Sequence, residues 1–360
     1  MTIANQEISY NQALDYCKII IEARRVPFIW GKPGTGKSDL AKALARHFDL
    51  CLIDLRLAER EPTDVLGYPQ VIDTPSGEKR SEYFPFQLMP LASDTIPTNP
   101  ETNQPYKGWL LFLDELSSAD ASTQKAAYRL LLDRAVGNKP LHKNVAILAA
   151  GNRITDGALV EEMSSALQSR VVHLTMKPMS EDWLNWANLN KIDWRVYAFI
   201  KDNPTMLDTF DNRGEEPTFA CPRTIHMLSD VMKARSCPQN LTHAHLPLIM
   251  GIMGSEAAVK FIDFVQSGIN LPSLATILSD PINTPIPATA NECFMLSIRL
   301  SQEIDGNNGN LIMKYLERYK YAEFVVVALR NATMRIPALT AVCPEVRTWL
   351  TKNAQELLLP

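Results

Sequence analysis

The first half of the chain alternates between short apolar runs and amphipathic stretches. The short apolar runs predict buried strands at residues 26–30, 50–57, 109–113, 145–150 and 171–174. Apolar residues at helical spacing predict helices at residues 37–48 and 121–134. Ser9 and Gln12 have the spacing of a capping box, so another helix is expected from there to about residue 23. Strands separated by helices favour an α/β fold, with a parallel sheet flanked by helices.

The pattern changes after about residue 177. Strand patterns fade there, helical periodicity dominates, and three of the six tryptophans lie close together in sequence. Four prolines predict a connection that divides the helical part in two, Pro272, Pro281, Pro285 and Pro287. The sequence therefore predicts an α/β module at residues 1–176, an all-α domain at residues 177–268 and a helical C-terminal extension at residues 269–360.

Composition excludes several classes of protein. The 360 residues carry a formal net charge of −4, so the chain as a whole has no electrostatic bias toward nucleic acid. No apolar run approaches the roughly 20 residues of a membrane span, and the N-terminus lacks the basic start and apolar stretch of a signal peptide. The six cysteines are scattered without metal-binding spacing, which favours a reducing compartment, and we expect a cytoplasmic location.

The strongest motif follows the first apolar run. Residues 31–38 read GKPGTGKS, which has the spacing of a phosphate-binding loop and lies between a predicted strand and a predicted helix. Glycines let backbone amides turn toward phosphate oxygens, and the helix N-terminus adds partial positive charge. Lys37 is expected to reach the β- and γ-phosphates, and Ser38 to ligate Mg²⁺. The predicted nucleotide-binding set is Gly31, Lys32, Pro33, Gly34, Thr35, Gly36, Lys37, Ser38 and Asp39.

Two acids end the third apolar run. The segment WLLFLDE places Asp114 and Glu115 directly after a strand, at the edge of a parallel sheet where ligands bind. Asp114 is expected to hold Mg²⁺ through water, and Glu115 to polarise the attacking water as general base. The cofactors predicted from the two motifs are ATP and Mg²⁺, and the predicted reaction is hydrolysis of ATP to ADP and phosphate.

Weaker candidates for the same site lie farther along the chain. Asn152 follows the fourth apolar run and is placed to orient the attacking water. Arg170 precedes the fifth run, where it is a candidate finger for the nucleotide of a neighbouring subunit. Arg223 begins a later helical pattern and would contact the nucleotide if that helix covers the site. Two other arginines compete with Arg170 for the same role, Arg134 and Arg153.

The order of these parts resembles the AAA+ ATPases, and within them the MoxR-like group. GKPGTGKS, LLFLDE and AAGN are followed by an arginine after a helix-like segment, residues 161–169, and then by the dipeptide Pro-Arg at residues 222–223. The resemblance covers roughly residues 10–235. It implies that these parts are Walker A, Walker B, sensor 1 with Asn152, the arginine finger Arg170 and sensor 2 with Arg223.

The sequence departs from that family in two places. Leu116-Ser117 stands where relatives often have Ile and Asn, and Gln168-Ser169-Arg170-Val171 stands where many have Asp-Arg-Phe. Because of the second departure, Arg134 stays an alternative to Arg170.

The resemblance also implies an architecture and partners. Residues 68–108 fall where this clade carries a helix-2 insert, often a β-hairpin that projects into a ring pore, and residues 177–268 correspond to the lid. The implied assembly is a ring, which we expect to be a hexamer, that couples ATP hydrolysis to the remodelling or chaperoning of a protein client. A partner with a von Willebrand factor A domain is implied as well, whereas nucleic acid and a membrane span are not indicated.

Other functions stay compatible with the sequence. The main alternative is an AAA+ motor or loader that acts on nucleic acid, and a small-molecule kinase or a nucleotide-gated scaffold would also use the phosphate loop. Residues 190–193 read NKID, the pattern by which many GTPases recognise guanine. They lie in a helix-like stretch rather than after a buried strand, so we expect a chance match.

Overall fold

The computed structural model describes residues 6–153, 156, 163, 165–211, 216–238 and 240–353. The chain divides into two units, Met1–Pro178 and Met179–Pro360. Among the described residues, no helix is long and apolar enough to cross a membrane.

The first unit is built around a parallel sheet of six strands, whose order across the sheet is residues 7–8, 171–176, 26–30, 145–151, 108–114 and 50–56. This architecture confirms the predicted α/β fold class. The elements of the unit are β1 (Glu7–Ile8), α1 (Tyr10–Glu22), β2 (Val26–Trp30), α2 (Lys37–Phe48), β3 (Leu50–Arg56), α3 (Pro62–Leu66), β4 (Tyr68–Asp73), β5 (Lys79–Phe84), β6 (Thr98–Asn99), β7 (Gln104–Pro105), β8 (Gly108–Asp114), α4 (Ala121–Leu132), β9 (Ala135–Val136), β10 (Lys139–Pro140), β11 (Val145–Gly151), α5 (Ser165–Gln168) and β12 (Val171–Met176).

Both faces of the central strands are buried. Every residue of β8 is buried, and its alternate side chains enter two different apolar cores. Leu111 and Leu113 belong to one core, whereas Leu110 and Phe112 belong to the other, together with Leu40 of α2. A strand that is buried on both faces is apolar at nearly every position, which is why this strand is evident in the sequence.

Local hydrogen bonds fix the start of α1. The Oγ of Ser9 accepts from the backbone N of Gln12 at 3.3 Å, and the Oε1 of Gln12 accepts from the backbone N of Ser9 at 2.9 Å. The predicted capping box is therefore present, and α1 ends at Glu22. The sequence does not predict β1, because a strand of two residues has no periodicity to detect.

The segment after α3 contains two antiparallel hairpins. β4 pairs with β5, from Tyr68 opposite Phe84 to Asp73 opposite Lys79, and β6 pairs with β7. Gly67 enters the first hairpin with a φ of +94°, and a Cβ there would lie 2.5 Å from the carbonyl oxygen of Phe84. Only glycine fits this approach. A hairpin thus lies inside residues 68–108, and its role at a ring pore stays a prediction.

A third hairpin, β9–β10, does not follow from the sequence pattern. The helix predicted at residues 121–134 ends at Leu132, and Arg134 takes a φ of +49° as the chain turns into β9. The hairpin packs against the first one, since a Cβ on Gly137 would lie 3.0 Å from the Cβ of Tyr83.

The regular elements described in the second unit are helices. Two apolar cores organise them, and α12 contributes to both: Met295 and Ile298 enter one core, and Leu296 and Leu300 enter the other. The predicted division into lid and extension stays a prediction. The helices are α6 (Ser180–Leu189), α7 (Trp194–Asp202), α8 (Pro222–Lys233), α9 (Leu246–Met253), α10 (Ser255–Ser267), α11 (Leu274–Ser279), α12 (Ala290–Glu303), α13 (Gly309–Leu316), α14 (Ala322–Arg335), α15 (Leu339–Val342) and α16 (Pro344–Lys352).

A buried polar contact joins three of these helices. The hydroxyl of Tyr197 donates to the Oδ1 of Asn331 at 3.3 Å, and the Nδ2 of Asn188 donates to the backbone oxygen of Asn331 at 2.9 Å. All three residues are buried. Burial raises the pKa of Tyr197 to about 12, so the phenol stays protonated and keeps its role as donor.

Removing one side of this contact should destabilise the second unit. Asn331→Ala leaves the buried hydroxyl of Tyr197 without its acceptor, and we expect the free energy of unfolding to fall by about 1–3 kcal/mol. Tyr197→Phe combined with Asn331→Ala removes both polar groups and should cost less than the sum of the two single changes. Chemical denaturation of the three variants measures these values, and strictly additive losses would mean that the two side chains do not interact.

Candidate functional site

The loop between β2 and α2 contains two glycines in the left-handed conformation. Gly34 has a φ of +77° and Gly36 a φ of +98°, values that other residues rarely adopt. Gly31 is restricted by space, because a Cβ there would lie 2.9 Å from the backbone oxygen of Met176. Glycine turns of this kind present successive N–H groups to one side, and the N-terminus of α2 adds partial positive charge. The loop therefore has the backbone of an anion site.

Lys37 folds back over this loop. Its Nζ donates to the backbone oxygens of Gly31 at 2.5 Å and Lys32 at 3.1 Å, and to the Oδ1 of Asn152 at 2.8 Å. Thr35, which is buried, donates from its Oγ1 to the backbone oxygen of Lys32 at 3.0 Å. Two residues predicted for one site but far apart in sequence, Lys37 and Asn152, are thus in direct contact.

Asp114, the last residue of β8, contacts the start of α2. The Oγ of Ser38 donates to the Oδ2 of Asp114 at 3.2 Å, and the backbone N of Glu115 donates to the Oδ1 of Asp114 at 2.9 Å. Asp114 is buried, and Glu115 takes a left-handed φ of +56° as the strand ends. Partial burial and the negative charge of Asp114 raise the pKa of Asp54, on the neighbouring strand β3. Asp54 is therefore a further carboxylate close to Asp114, and the sequence did not predict it at this site.

Ser117 joins the ends of β8 and β11. This fully buried side chain donates from its Oγ to the backbone oxygen of Asn152 and accepts from the backbone N of Asn152, both at 2.9 Å. A Cβ on Gly151 would lie 2.5 Å from that Oγ and 3.0 Å from the Cζ of Phe28. The sequence analysis noted Ser117 only as a departure from the family pattern and did not predict a role for it. In the structure, its hydroxyl holds the backbone of the candidate residue Asn152.

Arg153 and Arg134 make contacts within the first unit. Arg153 forms ion pairs with Asp156 at 3.1 Å and with Glu7 at 3.7 Å. The guanidinium of Arg134 donates to the backbone oxygen of Val145, and burial lowers its pKa. Both side chains are partly buried and already have a partner within the unit, which weighs against either of them as a finger for a second subunit.

Arg170 has an exposed side chain, in the turn between α5 and β12. Its backbone N donates to the backbone oxygen of Leu167 at 3.1 Å. The helix-like segment predicted at residues 161–169 lies partly outside the described residues, and its described end is α5. Of the three candidates in this unit, Arg170 has the exposed side chain, and its role toward a neighbouring subunit stays a prediction.

The remaining predicted residues occupy less enclosed positions. Asp39 is exposed in the first turn of α2, 3.6 Å from Lys42. Pro33 lies in the half-buried part of the loop. Arg223 is exposed at the second position of α8, after Pro222, and belongs to the second unit. Its contact with nucleotide stays a prediction.

The NKID segment has a structural role. Lys191, with a φ of +54°, separates α6 from α7, so the predicted helix-like stretch is two helices. The Oδ1 of Asp193 accepts from the backbone N and the Nε of Arg195, both at 2.9 Å, and Ile192 is fully buried. Asp193 thus caps α7, which agrees with a chance match to the GTPase pattern.

The residues that meet at this edge of the sheet fit a nucleoside triphosphate and Mg²⁺. A glycine loop at a helix N-terminus and an ammonium group suit phosphate oxygens, and the hydroxyl of Ser38 beside the carboxylate of Asp114 supplies the hard oxygen donors that Mg²⁺ takes. Chemically, the arrangement can bind phosphate and a divalent cation, and Glu115 follows directly after Asp114 in the chain.

Comparison with known proteins agrees with this class of site. The family model of the AAA domain, dynein-related subfamily, matches residues 27–171, less than half of the chain. Those residues include the loop, both acids and Asn152, so this part of the chain is similar to an AAA domain. A search of curated proteins returned no match.

Solved structures share only distant similarity with the chain. NtrX from Brucella abortus is 12% identical, with a TM-score of 0.39 over 99% of this chain and 69% of that chain. The RuvB Holliday junction branch migration motor from Thermotoga maritima is 14% identical, with a TM-score of 0.35 over 84% of each chain. Similarity at this level says nothing further about this chain.

Adding a methyl group at Gly151 should disrupt the site. Because Gly151→Ala forces the ends of β8 and β11 apart at Ser117, we expect the free energy of unfolding to fall by at least about 2 kcal/mol. Gly251→Ala is the matched control, since a Cβ there meets nothing within 4 Å, and it should leave stability equal or slightly higher. Thermal and chemical unfolding measure both variants. Similar stability of the two would contradict the close approach at Gly151.

Proposed function

We propose that the chain is an ATP-hydrolysing AAA+ ring ATPase of the MoxR type. The observation that carries the proposal is the contact of Lys37 with Asn152, next to the contact of Ser38 with Asp114. These contacts bring residues of α2 next to the end of β8 and to the residue after β11, which supports a site that hydrolyses a bound phosphoanhydride.

Each residue has a distinct role in this proposal. The loop at residues 31–38 and Lys37 hold the phosphates, and Ser38 and Asp114 hold Mg²⁺. Mg²⁺ bound there would neutralise charge on the phosphate oxygens. Glu115 takes a proton from the attacking water, and Asn152 orients that water through its side-chain amide. Because Ser117 bonds both backbone groups of Asn152, the orientation of the amide is set by the backbone as well as by Lys37.

The site is completed by a neighbour in this proposal. Arg170 of one subunit stabilises charge on the phosphate bound to the next subunit, and Arg223 contacts the nucleotide. The ring, expected to be a hexamer, remodels or chaperones a protein client in the cytoplasm, alone or with a von Willebrand factor A-domain partner. The alternative is an AAA+ motor or loader that acts on nucleic acid.

The dependence of ATPase rate on protein concentration tests the ring. At saturating Mg-ATP, we expect the rate per subunit to rise with concentration and then to saturate, because a neighbour completes each site. A constant rate down to concentrations at which sizing shows monomers would contradict the proposal and favour a kinase. Stimulation by DNA or RNA with steep salt dependence would favour the nucleic-acid motor, and absence of turnover would favour a scaffold.

Mixing two inactive variants tests the trans role of Arg170. Glu115→Gln retains the arginine but lacks the base, and Arg170→Ala retains the base but lacks the arginine, so each alone should lose at least about a hundredfold in kcat. Their mixture should regain activity, because some interfaces pair an intact Glu115 with an intact Arg170. Arg129→Ala, which removes an exposed arginine of α4, is the control and should keep full activity. A mixture as inactive as its components would contradict the trans role.

A further inference from the structure

His173 connects the strand that enters the phosphate loop with the turn that carries Arg170. It lies on β12, directly opposite Phe28 of β2. Its Nδ1 lies 2.9 Å from the Nε1 of Trp30, and its Nε2 lies 2.8 Å from the backbone oxygen of Gln168. Trp30 is the last residue of β2 and Gln168 the last residue of α5. One imidazole therefore contacts both segments at once.

These two contacts define the form of the imidazole. An indole N–H only donates, so the Nδ1 of His173 must accept from Trp30. A backbone carbonyl only accepts, so the Nε2 must carry the proton and donate to Gln168. The rings of Trp30 and His173 are nearly parallel, with centroids 6.0 Å apart and an interplanar angle of 15°, which suits an in-plane hydrogen bond between their edges. The contact with Trp30 on the sheet thus fixes the orientation of the ring and aims its Nε2–H at α5.

The contact of His173 with the backbone oxygen of Gln168 caps the C-terminal end of α5. The last carbonyls of a helix have no partner within the helix, and His173 supplies one for Gln168. Two residues later, the backbone N of Arg170 donates to Leu167 in the same turn, and β12 begins at the next residue. The backbone of Arg170 is held by α5 on one side and by the sheet on the other, and His173 ties the two together.

We propose that His173 is a positioning residue that holds Arg170 in place for the nucleotide site of a neighbouring subunit. Trp30 anchors the imidazole to the sheet, and the imidazole holds the end of α5. The inference rests on the proposed trans role of Arg170. Because a displacement of about 1 Å at a catalytic group lowers rates by up to about a hundredfold, loss of His173 lowers kcat and leaves KM for ATP nearly unchanged.

The mixed ring separates this role from any general effect on folding. In the mixed ring, the Glu115→Gln subunit donates the arginine and the Arg170→Ala subunit hydrolyses ATP. His173→Phe removes both hydrogen bonds of the imidazole, and it is introduced as a second substitution into either the donor or the hydrolysing subunit. In the donor it should lower the recovered kcat about tenfold or more, with KM changed by less than about twofold. In the hydrolysing subunit it should have no effect, which would show that the variant folds and assembles.

Two polar replacements identify which contact matters. Gln places its amide nitrogen near the position of Nε2, so His173→Gln in the donor should restore most of the recovered kcat. Asn places its amide oxygen near Nδ1 but does not reach α5, so His173→Asn should resemble His173→Phe. Val172→Ala, at an exposed neighbouring position of β12, is the control and should match the parent mixture.

The outcomes distinguish the inference from the function on which it rests. If the parent mixture regains no activity, the trans role of Arg170 is wrong, and the role of His173 falls with it. If the parent mixture is active and His173→Phe in the donor changes nothing, or acts only in the hydrolysing subunit, then the role of His173 alone is wrong. Equal activity of the Gln and Asn replacements would likewise overturn it.

Discussion

The candidate site depends on how closely three parallel strands approach one another at their carboxyl ends. Gly151 lies between the Oγ of Ser117 and the ring of Phe28, where no Cβ fits. Since this position has no side chain, Ser117 can bond both backbone groups of Asn152, and the amide of Asn152 can reach Lys37. The contacts of the site thus follow from one steric constraint in the sheet, together with the glycine turns of the loop.

A second constraint lies where β8 ends. Glu115 has a left-handed backbone, which costs a residue other than glycine of the order of 1 kcal/mol or more. The turn is held by its neighbours: the side chain of Asp114 accepts from the backbone N of Glu115, the backbone oxygen of Glu115 accepts from Ser118, and Leu116 is fully buried. Strain retained by such contacts is typical of functional positions, and here it turns Glu115 out of the strand that ends with Asp114.

What could be predicted from the sequence was what short-range patterns determine. β2, β8 and the phosphate loop were evident, because a strand buried on both faces and a glycine loop each have a local signature. Ser117 has no such signature, since its partner Asn152 lies 35 residues away. The contacts of the other arginines also needed the fold in part: the packing of the unit brings Glu7 to Arg153 and the backbone oxygen of Val145 to Arg134, whereas Asp156 lies only three residues from Arg153.

The segment around Arg170 is held by backbone contacts, although its sequence departs from the pattern of the family that it resembles. Many relatives have an acid before the arginine and an aromatic residue after it, whereas this chain has Ser169 and Val171. Backbone groups contribute to the contacts that hold the turn: the backbone N of Ser169 donates to the backbone oxygen of Ser165, and the backbone oxygen of Gln168 accepts from His173. Backbone groups are the same in every residue type, so the arginine can be held in position while the residues on either side of it differ from those of the relatives.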